Sequence, residues 1–409
     1  MKTDWKKVKL GEITSNIQTG PFGSQLHMSD YSDEGTPVVM PKDIINGKIS
    51  ESSIARVSEN HVKRLNRYVV FTGNILYARR GDVGKCAYVS EKENGWLCGT
   101  GCLNVESNLD VVDSKFLFFQ LQTPETVGWI QKNAVGATML NLNTKILSRV
   151  PISLPPLETQ QKISSILSAY DDLIENNRKQ IKLLEEVAQR LYKEWFVDLR
   201  FPGYENVAIV DGVPEGWITK TIGEICVKLN SGGTPNRKKT DYWDSKDIKW
   251  YKTKELQDCW LFDSEEYISE KGLNNSSAKV FPKNTILMAI YASPTLGRLG
   301  ILSNNAACNQ AALCLIPNEL VSYQWLYLKL YELRDYFNSV ARGAGQQNIS
   351  ADVVKNKMIV IPKEGIMMKF TQIVSLYFDK IKSFQRQIHL SQQARDKLLP
   401  RLMSGEMEV

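Results

Sequence analysis

The chain has almost nothing from which to build a metal or disulfide centre. Its 409 residues include only three histidines, His27, His61 and His389, none beside a cysteine cluster. The seven cysteines are an odd number without a Cys-x-x-Cys pair, a scatter that suits neither a disulfide framework nor a zinc knuckle. Reduced, mostly buried thiols and no bound metal are expected. No apolar run reaches the roughly 18 residues of a membrane span, and the opening MKTDWKKVKLGEI has no apolar signal core before its first charges. A cytoplasmic protein with no membrane partner is expected. Catalytic signatures are missing too. Gly84 and Lys85 lack the upstream glycine of a phosphate-binding loop and are followed by Cys86, where Ser or Thr would be needed. Gly99-Thr100-Gly101 lacks the spacing of a dinucleotide loop, and there is no Asp-Pro-Pro-Tyr or Asn-Pro-Pro-Tyr box. The chain reads as non-catalytic, with no cofactor of its own.

What is present is a repeat. WKKVKLGEI, from Trp5 to Ile13, returns as WITKTIGEI from Trp217 to Ile225 at a register shift of 212 residues. ILYA at Ile75 answers ILMA at Ile286, GATMLNLN at Gly136 answers GAGQQNIS at Gly343, and SLPPLETQQKI at Ser153 answers VIPKEGIMMKF at Val360. A slowly drifting shift is what loop insertions and deletions do to two related units. With 23% charged and 43% hydrophobic residues the composition is that of a globular protein, long enough for two or three self-sufficient cores. Two similar surfaces suit a bipartite target. The net charge of +6 permits polyanion binding without proving it.

From about residue 157 the pattern turns helical. Ile163, Ile166, Tyr170, Leu173, Ile181, Leu184, Ala188, Leu191 and Trp195 mark one stripe, interrupted by the polar Asn177. No Pro or Gly breaks the segment up to about Phe196, which makes a helix about 58 Å long. The second unit ends similarly, with Phe370, Val374, Tyr377, Ile381, Phe384, Ile388, Ser391 and Leu398 keeping the rhythm up to Pro400. Proline-bearing junctions, LPPL and IPKEG, precede each helix. The expected organisation is a first domain over 1–156, a long helix over 157–200, a second domain over 201–365 and a second long helix over 366–409. The helices are expected to pair as an antiparallel coiled coil with one domain at each end; the alternative is that each helix caps its own domain.

Each domain reads as mixed α/β (α+β). Strands are expected in TPVVM (36–40), YVVF (68–71), NILYAR (74–79), TILMAIYA (285–292) and ALCLI (312–316), and helices over 114–133 and 322–340. Polar, Gly-rich loops recur at matched places. TGPFGSQL supplies Gly20, Phe22, Gly23, Ser24 and Gln25, and SGGTPNRKK supplies Gly232, Gly233, Thr234, Asn236, Arg237 and Lys238. Bare glycine N–H groups suit phosphate, while the amide, hydroxyl and guanidinium groups suit base edges. RRGDVGK offers Arg79 and Arg80 for guanine and Lys85 for phosphate, paired with Arg298 in SPTLGR. Asn141, Gln346, Gln347 and Asn348 are adenine-reading amides or simple caps. Lys252 and Lys254 add basic groups in the second domain only. A tight turn is the alternative reading of TGPFGSQL and SGGTPNRKK, and a solvated basic turn that of RRGDVGK and SPTLGR.

These segments together resemble the specificity subunit of type I restriction-modification enzymes. The resemblance is carried by LGEI with TGPFGSQL, by IGEI with SGGTPNRKKTDYWD, and by the GATMLNLN and GAGQQNIS loops. PLETQQKISSIL running into a helix that ends LYKEWFVDLRFPGYE, and DKLLPRLMSGE near the C-terminus, extend it over nearly the whole chain. It implies two target-recognition domains that each read half of a split site in double-stranded DNA. It also implies two docked methyltransferase subunits that bind S-adenosylmethionine and methylate adenine, and two restriction/translocase subunits using ATP and Mg in the full complex. Half-sites about one helical turn apart, about 34 Å, and a nonspecific gap of about 5 to 8 base pairs are expected. A coiled-coil interaction protein with protein-binding heads is the competing reading.

Overall fold

The computed structural model describes residues 5–136, 140–291, 294–341 and 348–409. The chain forms two compact units, Met1–Leu173 with Ser391–Val409, and Ile174–Leu390. The division falls inside both long helices, Leu157–Phe196 and Glu364–Met403.

In the first unit, a four-stranded antiparallel sheet runs in the order Thr14–Thr19, Cys102–Ser107, Ile75–Ala78, Cys86–Tyr88. Ile75–Ala78 is buried along its whole length, as a continuous apolar run in a central strand must be. A second four-stranded sheet contains Thr36–Val39, which pairs parallel with Leu97–Cys98 and antiparallel with Ala55–Val57. The repeated Gly-Glu-Ile motif has a structural explanation. Lys6–Lys9 pairs with Pro151–Leu154, the strand leading into the first long helix, and Leu10 and Gly11 extend that ribbon by donating to Val150 O and Ser148 O. In the second unit Ile218–Thr221 pairs with Met358–Ile361, and Ile222 and Gly223 donate to Lys357 O and Lys355 O. The second unit also holds a five-stranded sheet in the order Cys226–Ser231, Ala312–Pro317, Ile286–Ala289, Leu299–Leu302, Cys259–Leu261.

Both long helices are shared by each unit. In the first, Ile163 and Leu167 are buried in one core with Phe116, Ile152, Leu402 and Met403, and Arg395 Nη1 lies 2.5 Å from Asp171 Oδ1. In the second, Asn177 Nδ2 donates to Gln387 Oε1 (3.1 Å) and the Phe196 and Phe370 rings meet edge to face at 4.8 Å. Low numbers meet high numbers in both, so the helices run antiparallel.

Four sequence expectations shift. Ile166 and Leu173 are exposed, and their neighbours Leu167 and Ile174 take the buried positions. The buried or half-buried series 163, 167, 170, 174, 177, 181, 184, 188 alternates steps of four and three, the 3.5-residue repeat of a coiled coil; adjacent apolar pairs hide that phase. The helix expected over 114–133 is two, Ser114–Leu121 and Pro124–Asn133, because Pro124 has no N–H to offer and Thr123 caps the second by accepting from Thr126 N. Its counterpart also divides, into Tyr323–Glu332 and Arg334–Val340. YVVF forms no strand: its single antiparallel bridge joins Val69 to Leu97. The second long helix, expected over 366–409, runs Glu364–Met403 with Pro400 inside it; burial of Leu402 and Met403 offsets the lost hydrogen bond.

Candidate nucleic-acid interface

Three loops of the first unit meet at the ends of its central strands. Arg79, leaving Ile75–Ala78, donates its N–H to Gly101 O (2.8 Å), and its carbonyl accepts from Leu142 N (2.8 Å). Arg80 and Asn141 face each other in a single antiparallel bridge. The Arg79 guanidinium lies 5.8 Å over the exposed Phe22 ring. Arg79 Nε and Asn141 Oδ1 are both buried with no hydrogen-bond partner among the described residues. Arg80, Phe22, Gly23 and Ser24 are exposed. Gln25 faces inward instead, its Oε1 accepting from Tyr68 OH (2.8 Å) and Phe22 N (3.1 Å). Lys85 pairs with Asp82 at 3.2 Å on the surface.

The second unit repeats this frame hydrogen bond for hydrogen bond. Ile290 N donates to Ala311 O and Ile290 O accepts from Ile349 N, both 2.9 Å, and Tyr291 bridges Asn348. Ala78 N donates to Lys85 O, and Ala289 N to Arg298 O, both 2.9 Å. Lys85 and Arg298 are thus equivalent, but the counterparts of Arg79 and Arg80 are Ile290 and Tyr291. Carrying the ILYA–ILMA alignment two residues further finds them.

Three of the four loop glycines are structural. Gly20 N donates to Cys102 O (2.9 Å) and Gly232 N to Ala312 O (3.1 Å). A Cβ at Gly20 would stand 2.1 Å from Gly99 O, at Gly232 2.2 Å from Cys308 O, and at Gly233 2.3 Å from Ser277 O. Only glycine allows this backbone approach, and these N–H groups face protein instead of phosphate. Gly23 alone is open.

Arg237 is held, not free. Its guanidinium stacks 3.6 Å from the Trp243 centroid and 4.8 Å from that of Trp250, with Nη1 2.6 Å from Glu266 Oε2. Lys252 bridges Glu266 (2.8 Å) and Glu265 (3.1 Å), and Lys254 reaches Glu265. Burial would raise the Glu266 carboxyl, but Lys252 and Arg237 hold it below the usual carboxylate range. Two glutamates thus pair the two lysines that the sequence offers as basic groups of the second domain. Thr234 bonds Gln310, Asn236 Oδ1 accepts from Lys238 N (3.0 Å), and Arg298 donates to Gln257 Oε1 (3.2 Å). Asn236 and Lys238 remain exposed. Gln346 and Gln347 lie outside the described residues. Among the described residues no group of three or more His, Cys, Asp or Glu is placed to hold a metal.

A backbone frame repeated in both units with different side chains on it defines a chain of two related domains. The family model described as the type I restriction modification DNA specificity domain matches twice, over residues 2–186 and 214–397, so the chain belongs to that family. It is 29% identical to the type I restriction enzyme MjaIX specificity subunit of Methanocaldococcus jannaschii, over 99% of this chain and 94% of that protein. To the HindI specificity subunit of Haemophilus influenzae it is 24% identical, over 99% of this chain and all of that one. The crystal structure of the type I restriction-modification system S subunit from M. genitalium shares the fold, with a TM-score of 0.64 at 17% identity, covering 98% of this chain and 96% of that one.

Proposed function

We propose that each unit reads one half of an asymmetric, bipartite site in double-stranded DNA, and that the chain positions two methyltransferase subunits on it. The observation that carries this is the duplicated frame with Arg79 and Arg80 in one unit and Ile290 and Tyr291 in the other. The same backbone offers guanidinium donors to one half-site, suited to guanine, and an aromatic and apolar pair to the other, suited to a thymine methyl. The exposed Arg80 side chain beside Asn141 supports it, since its donors are open to a base edge. The methyltransferase subunits would bring S-adenosylmethionine and methylate adenine, and restriction/translocase subunits would bring ATP and Mg chemistry. The half-sites would be separated by a nonspecific gap of about 5 to 8 base pairs.

Methylated adenines mapped across the genome of a host carrying this chain test the proposal. A split motif is expected, and exchanging residues 1–150 for those of another specificity subunit should alter one half only. Methylation without a split motif would sink the reading. Protein-binding heads are separated from DNA-binding ones by salt, because only DNA affinity falls steeply as counterions are released.

A further inference from the structure

The second unit contains a cavity of about 290 Å³ that the DNA-reading loops do not use. Its walls are Trp260, Tyr327, Tyr331 and Phe378, with Glu185 of the first long helix and Asp258 at its polar side. The volume lies at the lower edge of ordinary ligand pockets, so it admits a side-chain-sized group and not a nucleotide cofactor.

The two carboxylates differ. Asp258 is already occupied by a guanidinium from within the unit: Arg334 Nη1 and Nη2 donate to its two oxygens at 3.1 and 2.5 Å, while the Arg334 guanidinium lies 4.6 Å from the Tyr331 centroid. Glu185 has no hydrogen bond or ion pair among the described residues, although it is half-buried between two tyrosines and Asp258. Burial, and then the Asp258 charge, raise its carboxyl to about 7. Of the nearby lysines, Lys382 lies over the Trp260 ring of the cavity wall, and Lys182 is 3.9 Å from Glu186. Gln385 Oε1 accepts from Trp260 N, and Gln189 adds an uncommitted amide.

We propose that this cavity is a binding site for an alkylguanidinium group, taken up by Glu185 against the aromatic walls. The wall demonstrates the chemistry with Arg334, where a carboxylate and a tyrosine face hold one planar cation, and Glu185 is the second carboxylate left without its own. A planar fork matches a carboxylate bidentately and stacks on aromatic rings, which an ammonium does less well. The source is either a free cation or an arginine of a docked methyltransferase subunit; only the second rests on the proposed function.

The test titrates the full chain and its Glu185→Gln variant with agmatine by calorimetry, and measures assembly of both with the methyltransferase subunits, with and without agmatine. Gln keeps the shape and removes the charge, and thermal melting confirms folding. Agmatine affinity should fall about tenfold or more in Glu185→Gln and strengthen from pH 6 to pH 8 in the parent chain as the carboxyl ionises. Loss of agmatine binding with unchanged assembly identifies a free cation. Weakened assembly of the variant identifies a partner arginine, whether or not agmatine alone binds measurably. Unchanged assembly together with equal agmatine binding by both chains, or with no binding by either, overturns the site. Sequence-specific methylation is read separately, so a failure of the DNA proposal leaves this result standing.

Discussion

Arg80 and Lys85 sit on the same turn but would do different work. Arg80 is exposed beside Asn141, so Arg80→Ala should relax the requirement at one position of the first half-site at a cost of about 1–3 kcal/mol. Lys85→Ala should weaken binding to all sequences alike and reduce the salt slope by about one. Fluorescence anisotropy against a panel of single-base variants at several salt concentrations separates the two. Glu266→Gln should release Arg237 and Lys252, strengthening nonspecific binding while blurring only the second half-site, as a methylation map would report. Glu185 predicts a pH effect. Its folded carboxyl titrates near 7, above the ordinary 4.5, so the proton-bound form stabilises the fold below pH 4.5 and that contribution is lost as pH rises through 7. Glu185→Gln should therefore raise the melting temperature more at pH 8 than at pH 5. At this scale the residue types were legible and their engagement was not. The pairing of Lys252 was hidden because it depends on the strand register that sets Trp250 opposite Glu266, a nonlocal pairing absent from any local pattern.

The long helices were the most legible elements, because a stripe sustained over about eight or nine turns outweighs any local ambiguity. Their phase was not, since Ile166-Leu167 and Leu173-Ile174 are both apolar and only packing chooses between them. Gln160 was read merely as part of a motif, yet it fastens the helix start to the first unit: it accepts from Asp113 N (2.9 Å) and donates to Val111 O (3.2 Å) and Pro155 O (2.8 Å). Gln160→Ala should cost about 2–4 kcal/mol by stranding these backbone groups, a loss that denaturant melts of the whole chain would register.

The repeat was visible across the whole molecule because the ribbon that closes each unit needs the same Trp and Gly-Glu-Ile residues in both copies. The composition of the units was not visible. Sequence suggested domains ending where helices begin, whereas the first unit also claims Ser391–Val409, because Leu402 and Met403 complete a core begun by Leu10 and Phe116. Such closure over more than two hundred residues leaves no periodic trace. It has a temporal side. A ribosome finishes every residue of Ile174–Leu390 before it releases the residues that seal the first unit, so the part begun earliest is the last to be completed, and until then its core lacks Leu402 and Met403.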